Sequence, residues 1–447
     1  LFGLVATALN QNRRSPAPTL TPSFNSGNIS TTSALGIGWR SDLDQSLTLN
    51  ENGSVTWADP SGGEQTFTRA LPAVFPTPDF ELFRGLDPFV PKNAGVTVFG
   101  PPVYDPPLNT YERLVYVEGG PAFVPTTLQL ESPDGTKTTF TVYESSAVLR
   151  PSGLLDRNGN TLAYQRDAQG RLTRVTDVHG RFTELLYTGQ FLTTMRDQEN
   201  RTVTYVYTNG RKTEETGPEG TTQYAYNALT NRIESITFPN GGMKHYQYDA
   251  QGRVTHEDID GEEAVDYVYQ SSATVVTDAE GRATTHLFTR SDGLHRATAL
   301  QDNAGKTIRF GYDGNMNLTL QRDERLSPAR DTRYQYDPRG NVTQVRDPDD
   351  GLTDTTYEST FNQPTSITDP ERNPATTLSY NAQNGDLESV TTIVGGQSLT
   401  TTLGHDGQGH VTSITDPRFK TTFFGYDQGQ LRTVTDPIGR ITTTIRD

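Results

Sequence analysis

The stretch Tyr336-Asp337-Pro338-Arg339-Gly340-Asn341-Val342-Thr343-Gln344-Val345-Arg346-Asp347-Pro348 decides the fold. It opens on an aromatic residue, passes an Asp-x-x-Gly turn, runs through branched residues and ends at a second Asp-Pro. Asp hydrogen-bonds its own following backbone, Pro presets φ at the second turn position, and Gly tolerates positive φ at the exit. Closely similar units begin at Tyr248-Asp249 and Tyr426-Asp427, and looser copies at Tyr164, Tyr187, Tyr207, Tyr226, Tyr269, Phe288, Tyr312 and Tyr380. From Tyr164 to Tyr336 neighbouring starts lie about 19 to 24 residues apart, enough for two strands of about six or seven residues with a turn at each end. Each unit therefore predicts one β-hairpin.

The first turn of a unit is Asp-x-x-Gly (Asp167 to Gly170, Asp249 to Gly252, Asp337 to Gly340). The second is Asp-Pro-x-Gly or a variant (Asp177 to Gly180, Asp278 to Gly281, Asp436 to Gly439). Between them a run such as Arg171-Leu172-Thr173-Arg174-Val175 predicts the first strand. The second strand ends on an aromatic-x-Tyr pair: Tyr205/Tyr207, Tyr224/Tyr226, Tyr246/Tyr248, Tyr267/Tyr269, Phe310/Tyr312, Tyr334/Tyr336 and Phe424/Tyr426. Residues two apart share one face of a strand, so hairpins side by side are expected to stack these rings into ladders. A lone hairpin is marginal in water. The units must stand together as one quasi-one-dimensional sheet, and a broad sheet twists and coils. The expected fold is all-β, a long array of antiparallel hairpins in a spiralling curved sheet, part of a hollow shell.

Residues 149–447 form this array, and residues 1–148 read as a more irregular β region. Hairpins are expected at 47–68 and at 128–143, the latter turning at Pro133-Asp134-Gly135. Between them, residues 71–125 hold eleven prolines, including Pro101-Pro102 and Pro106-Pro107. Proline removes a ladder donor, so this stretch reads as an insertion outside the central sheet, with Phe80, Phe83, Phe89 and Phe99 packing on it.

Composition narrows the function. Numerous, regularly spaced aromatics argue against a disordered chain. The balance of 54 Asp and Glu against 38 Lys and Arg disfavours nucleic acid, whose phosphates demand clustered positive charge. No apolar run approaches the roughly 18 to 20 residues of a spanning helix; Leu1 to Leu9 is too short. Zero cysteines exclude disulfides, thiolate metal sites and cysteine nucleophiles. A start at Leu1 and a stop at Asp447 inside a recurring motif read as a fragment or processed piece.

The pattern Tyr-Asp-x-x-Gly-Asn/Arg-Val/Leu-Thr-x-Val-x-Asp-Pro-x-Gly-Arg resembles the YD repeat of the Rhs proteins. It recurs over about two thirds of the chain, and Ala34-Leu35-Gly36-Ile37-Gly38-Trp39 looks like the Leu-Gly-x-Gly-Trp segment that precedes the repeats in many members. The family spans bacterial polymorphic toxins, wall-associated contact-inhibition proteins, C components of insecticidal toxin complexes and teneurins. The resemblance implies a strand ribbon spiralling into a hollow shell. In toxin members that shell holds a variable C-terminal toxin, cut free by an aspartyl autoprotease in the closing region. Neither that closing segment nor a toxin-like tail is visible here, and a cysteine-free chain points to the bacterial branch.

Most aspartates occupy fixed turn positions and read as turn formers. Asp436-Pro437-Ile438-Gly439 superficially matches an autoproteolytic motif, yet the same letters make ordinary repeat turns. Asp-rich turns lack the tight glycine-rich nonapeptides that bind calcium. The seven histidines show no metal-ligand spacing, so no metal or cofactor is expected. Asn28-Ile29-Ser30, Asn200-Arg201-Thr202 and Asn317-Leu318-Thr319 have the form of glycosylation acceptors, expected by chance in so Asn- and Thr-rich a chain. The expected function is a structural wall of a secreted or cell-surface shell, its partners an encapsulated toxin or other parts of the shell. Two alternatives stand beside it: an adhesin reading cell-surface glycans through its aromatic face, and an autoproteolytic shell.

Overall fold

The computed structural model describes residues 2–3, 22–25, 32–41, 44–59, 63–70, 102–107, 110–119, 124–143, 147–291, 294–369 and 372–444. Regular structure among them is almost wholly β-strand, as the repeats require. β1 (Phe2–Gly3), β2 (Pro22–Phe24) and β5 (Trp39–Ser41) form a small sheet, and β3 (Thr32–Ser33) and β4 (Gly36–Ile37) a two-residue hairpin. All later strands, 35 of them, join one antiparallel sheet.

That sheet has two parts. The first comprises β6 (Ser46–Leu49), β7 (Val55–Ala58), β8 (Glu64–Ala70), β9 (Val103–Asp105), β10 (Arg113–Gly119), β11 (Pro125–Glu131), β12 (Lys137–Val142) and β13 (Val148–Leu155). Each pairs with the next, and β13 returns to β6 through Val148↔Thr48 and Leu149↔Leu47, so the eight strands close into a ring. An eight-stranded barrel is just narrow enough for side chains to fill it. Every strand contributes: Leu47, Val55, Phe67, Tyr104, Leu114, Leu128, Leu130, Phe140 and Leu149 form one buried cluster.

β13 is the junction. Its first residues pair with β6, whereas its last, Gly153–Leu155, pair with β14 (Thr161–Arg166). Between the two lies Pro151, at a bulge opposite Phe140, the kind of position proline tolerates because no ladder donor is needed there. From β14 a ribbon runs through β15 (Leu172–Asp177) and β16 (Phe182–Thr188) to β40 (Ile441–Thr443), each strand pairing with its chain neighbours.

Most hairpins of the ribbon carry a bulge at one place, just after the Asp-x-x-Gly turn. Gln165 faces Arg174 while Arg166 faces Leu172, leaving Thr173 over; Gln247/His256 and Tyr248/Val254 leave Thr255; Gln335/Gln344 and Tyr336/Val342 leave Thr343. The extra threonine bonds the partner strand: Thr173 Oγ1 donates to the Gln165 carbonyl at 3.2 Å and Thr193 Oγ1 to that of Leu186 at 3.2 Å. A bulge bends its strand and sharpens the local twist, so its repetition curves the ribbon steadily.

The curvature brings distant turns together. Asn158 Nδ2 donates to Asp386 Oδ1 at 2.8 Å, Asn160 Nδ2 to the Gln408 carbonyl at 3.1 Å, and Arg181 to the Gln428 carbonyl. His179 and His410 lie face to face with ring centres 6.4 Å apart. Tyr111 reaches Asn317 Oδ1 at 2.6 Å. The ribbon spirals, and its later hairpins meet earlier ones along a seam of turn-to-turn bonds.

The proline-rich stretch is corrected by this topology. β9 and β10 lie within residues 71–125 and belong to the central ring, because Pro106 and Pro107 follow β9 instead of interrupting it and Pro125 takes the first place of β11. Pro101, Phe80, Phe83, Phe89 and Phe99 lie outside the described residues. The hairpin expected at 128–143 is β11–β12, and that at 47–68 is β6–β7 extended by β8.

Candidate functional site

The repeat residues divide the work of holding the ribbon. The second tyrosine of each pair reaches back to the preceding hairpin. Tyr207 Oη donates to the Leu192 carbonyl at 2.7 Å, Tyr226 to Lys212 at 2.6 Å, Tyr248 to Ile233 at 2.8 Å and Tyr269 to Val254 at 2.8 Å. Tyr312 bonds the Ala297 carbonyl at 2.8 Å, Tyr336 that of Leu318 at 2.7 Å and Tyr426 that of Val411 at 3.0 Å. The accepting residue always lies two places beyond the last pair joining the two hairpins; Ser235↔His245 ends one junction and Ile233 accepts from Tyr248. The strands splay there, and the phenol satisfies a carbonyl that the ladder has let go.

The ladder of stacked rings expected between hairpins is replaced by this clamp. Each unit contributes two strands, so equivalent positions sit about 10 Å apart, beyond ring contact. Arginines fill the interval: Arg211 lies over Tyr226 at 6.0 Å, Arg232 over Tyr248 at 5.9 Å and Arg253 over Tyr269 at 4.2 Å.

The first aromatic of each pair has a different fate along the ribbon. Tyr205, Tyr224 and Tyr246 are buried, while Tyr267, Phe310, Tyr334 and Phe424 are half-buried. The N-terminal segment makes the difference, since Phe24, Leu35 and Trp39 join Tyr164, Tyr205, Tyr224 and Tyr246 in one cluster. Ile37 N–H donates to the Gly210 carbonyl at 2.9 Å and Leu192 N–H to that of Ala34 at 2.8 Å. Gly36, at φ +99°, lets this backbone come close: a Cβ there would stand 3.0 Å from the Gly210 carbonyl oxygen.

Lys212 anchors the segment; its role shows in the sequence only as a charge where neighbouring repeats carry Leu192, Ile233 or Val254. It is wholly buried, with Nζ 2.8 Å from Glu215 Oε2, 3.4 Å from the centre of the Trp39 ring and 4.8 Å from that of Tyr224. Burial lowers the lysine's pKa, and Glu215 opposes the shift. Trp39 Nε1 donates to Tyr226 Oη at 2.9 Å, and Tyr226 passes the contact to the Lys212 carbonyl.

The turn aspartates share one geometry. Asp249 Oδ1 accepts the N–H groups of Gln251 and Arg253, both at 2.9 Å, and Oδ2 accepts Arg253 Nε at 2.7 Å; Gly252 N–H closes the turn at φ +84°. Asp337 repeats this with Arg339, Asn341 and Gly340. Asp436 repeats it with Ile438, Arg440 and Gly439. Nothing in its contacts separates Asp436 from the other turn aspartates, and its carboxylate faces an arginine instead of the second carboxyl an aspartyl protease requires. The Arg or Asn after the turn glycine, which completes each turn, was legible in the sequence as Gly-Arg and Gly-Asn but its bond to Asp was missed. Of the histidines, His410 fills this same place, bonding Asp406 Oδ2 at 2.8 Å. Among the described residues no group of three or more metal-ligating side chains gathers.

Residues 149–181 match the family model described as RHS Repeat. That stretch is an RHS repeat. Residues 16–67 match a domain of unknown function, DUF6531; they include the segment that Lys212 anchors and the first two strands of the ring. No curated protein matches the chain. Among solved structures, the chain is similar to TcdB2-TccC3 without its hypervariable C-terminal region, at 12% identity and a TM-score of 0.49, covering 88% of this chain and 22% of that one. For TcdB2-TccC3 itself the values are 14%, 0.47, 87% and 23%. For a Photorhabdus luminescens Tc holotoxin pore they are 11%, 0.34, 85% and 26%. The chain thus spans about a quarter of the length of these three chains.

Tyr248→Phe removes one clamp bond and strands a carbonyl, so it is expected to lower stability by about 0.5 to 1.5 kcal/mol, read from the midpoint of denaturant unfolding. The aspartates set the response to acid. Arg440 and Arg282 hold the carboxyls of Asp436 and Asp278 below the usual range, and Arg325 holds Asp323 at about 2. At Asp249 and Asp337 partial burial pushes upward, but bonds from Arg253 and Asn341 outweigh it. Unfolded carboxyls titrate near pH 4, so the stability these groups supply is complete above about pH 4 and is lost as pH falls through their lower folded values. Melting temperature is expected to be level between about pH 7 and 5 and to fall steeply below about 4; a level profile down to about pH 2.5 contradicts this assignment.

Proposed function

We propose that the chain is wall, without chemistry of its own, of a secreted or cell-surface shell that encloses a polypeptide cargo. The observation that carries this reading is the seam. A ribbon that curves until Asn158, Asn160 and Arg181 bond residues beyond 380 bounds a space. The closed ring of β6–β13 supports the same reading, because it gives the ribbon a rigid, filled starting point. The partners of this wall are an enclosed toxin carried on the same polypeptide or other parts of the same shell.

A second reading, glycan recognition, draws on one place only. Tyr267 and Tyr269 stand parallel, with ring centres 6.5 Å apart, beside Gln247, Asp249, Arg253, His256 and Asp266. Parallel rings with polar neighbours suit a sugar face. The Tyr269 hydroxyl is itself spent on the clamp, so only the ring faces are offered to a sugar.

Electron microscopy of the full-length protein tests the first reading. Class averages with a hollow centre, and protection of any downstream domain from added protease until the wall is denatured, are the expected results. A solid rod, or cargo cut as fast as the free domain, overturns it.

A further inference from the structure

A cavity of about 660 Å³ opens between the N-terminal segment and the first hairpins of the ribbon. Leu35, Leu172, Leu185 and Leu192 give it an apolar floor, and Arg40, Arg150, Arg166 and Arg171 line it together with one acid, Asp44. In a chain carrying 16 net negative charges, four arginines around one hollow are out of keeping with the surface at large.

Their partners are unequal. Arg171 is neutralised by Asp167, Nε to Oδ2 at 2.7 Å. Arg166 donates to neutral carbonyls only, Gly170 at 3.0 Å and Pro151 at 3.3 and 3.4 Å. Among the described residues no carboxylate stands at ion-pair distance from Arg40, Arg150 or Arg166. Asp44 is turned to the Ser41 N–H at 2.7 Å; burial pushes its carboxyl up against the pull of Arg40 and Arg150. Burial and the neighbouring Arg150 charge both disfavour the cationic form of Arg166. The hollow holds like charges close together with too little opposite charge among them, a situation an incoming anion relieves.

We propose that this cavity binds a carboxylate borne on an apolar body, the carboxylate taken by Arg40 and Arg150 and the body laid on the four leucines. The guanidinium fork matches a carboxylate in two parallel bonds, and the leucines favour an organic acid over a bare inorganic anion. The group can come from a small organic acid or from a Glu side chain flanked by apolar residues in a polypeptide.

Calorimetric titration of the whole chain tests this with four probes: 4-phenylbutyrate, its amide, the peptide acetyl-Leu-Glu-Leu-amide, and inorganic phosphate. Saturable binding of either carboxylate is expected, with the amide and phosphate at least about tenfold weaker. The double variant Arg40→Gln, Arg150→Gln, compared at a temperature where circular dichroism shows both proteins folded, is expected to lose about tenfold or more in affinity for the carboxylate. Binding of 4-phenylbutyrate alone assigns the site to small acids, and binding of the peptide alone assigns it to polypeptide. Either supports the proposal. Failure of both carboxylates to bind, equal binding of the amide, preference for phosphate, or unchanged affinity in the double variant overturns it. None of these results bears on whether the wall encloses a cargo.

Discussion

The structure depends on a single bond repeated from hairpin to hairpin, a tyrosine O–H given to a backbone carbonyl that the sheet has released. A two-stranded hairpin buries too little to stand by itself. Its neighbours must hold it, yet the bulge that most hairpins carry after the turn, which curves the wall, also splays adjacent hairpins at that end. The phenol closes the gap at 2.6 to 3.0 Å. Curvature and cohesion are thereby reconciled in one side chain, and the Asp-x-x-Gly turn sets the position of both the bulge and the accepting carbonyl.

Burial is distributed unevenly around this scheme. The ring of β6–β13 has a filled interior, and the first hairpins of the ribbon are covered by Phe24, Leu35 and Trp39. Further on the ribbon is a single layer whose core positions are half-buried, and threonine pairs such as Thr391–Thr400 and Thr415–Thr421 knit neighbouring strands. Cross-strand pairs of this kind contribute about 0.2 to 1 kcal/mol each. Such a wall draws its stability from continuity more than from depth, as repeat arrays do.

The ribbon was legible in the sequence because its signals are local. Tyr336 to Pro348 contain turn, strand and clamp residue within thirteen positions, and residues 149–447 follow the same spacing. The ring was not legible, because it rests on the meeting of Leu47 with Leu149 and on strands set among the prolines of 71–125. The stacking of tyrosines was misjudged for a geometric reason: a period of one hairpin is two strands wide. Lys212 reads in sequence as a misplaced charge, and only the fold brings Trp39 and Glu215 to it. The arginine cavity likewise joins Arg40 and Arg150 to Arg166 and Arg171 across elements with no shared motif.

Hydrogen exchange followed by mass spectrometry on the chain and on Tyr269→Ala tests the interdependence of the hairpins most directly. If each unit is held by its neighbours, loss of this one clamp lowers protection in the hairpins on both sides of residue 269, and protection decays with distance along the ribbon. Loss confined to the strands around Tyr269, with the flanking hairpins exchanging at their original rates, would show self-sufficient modules and contradict the account.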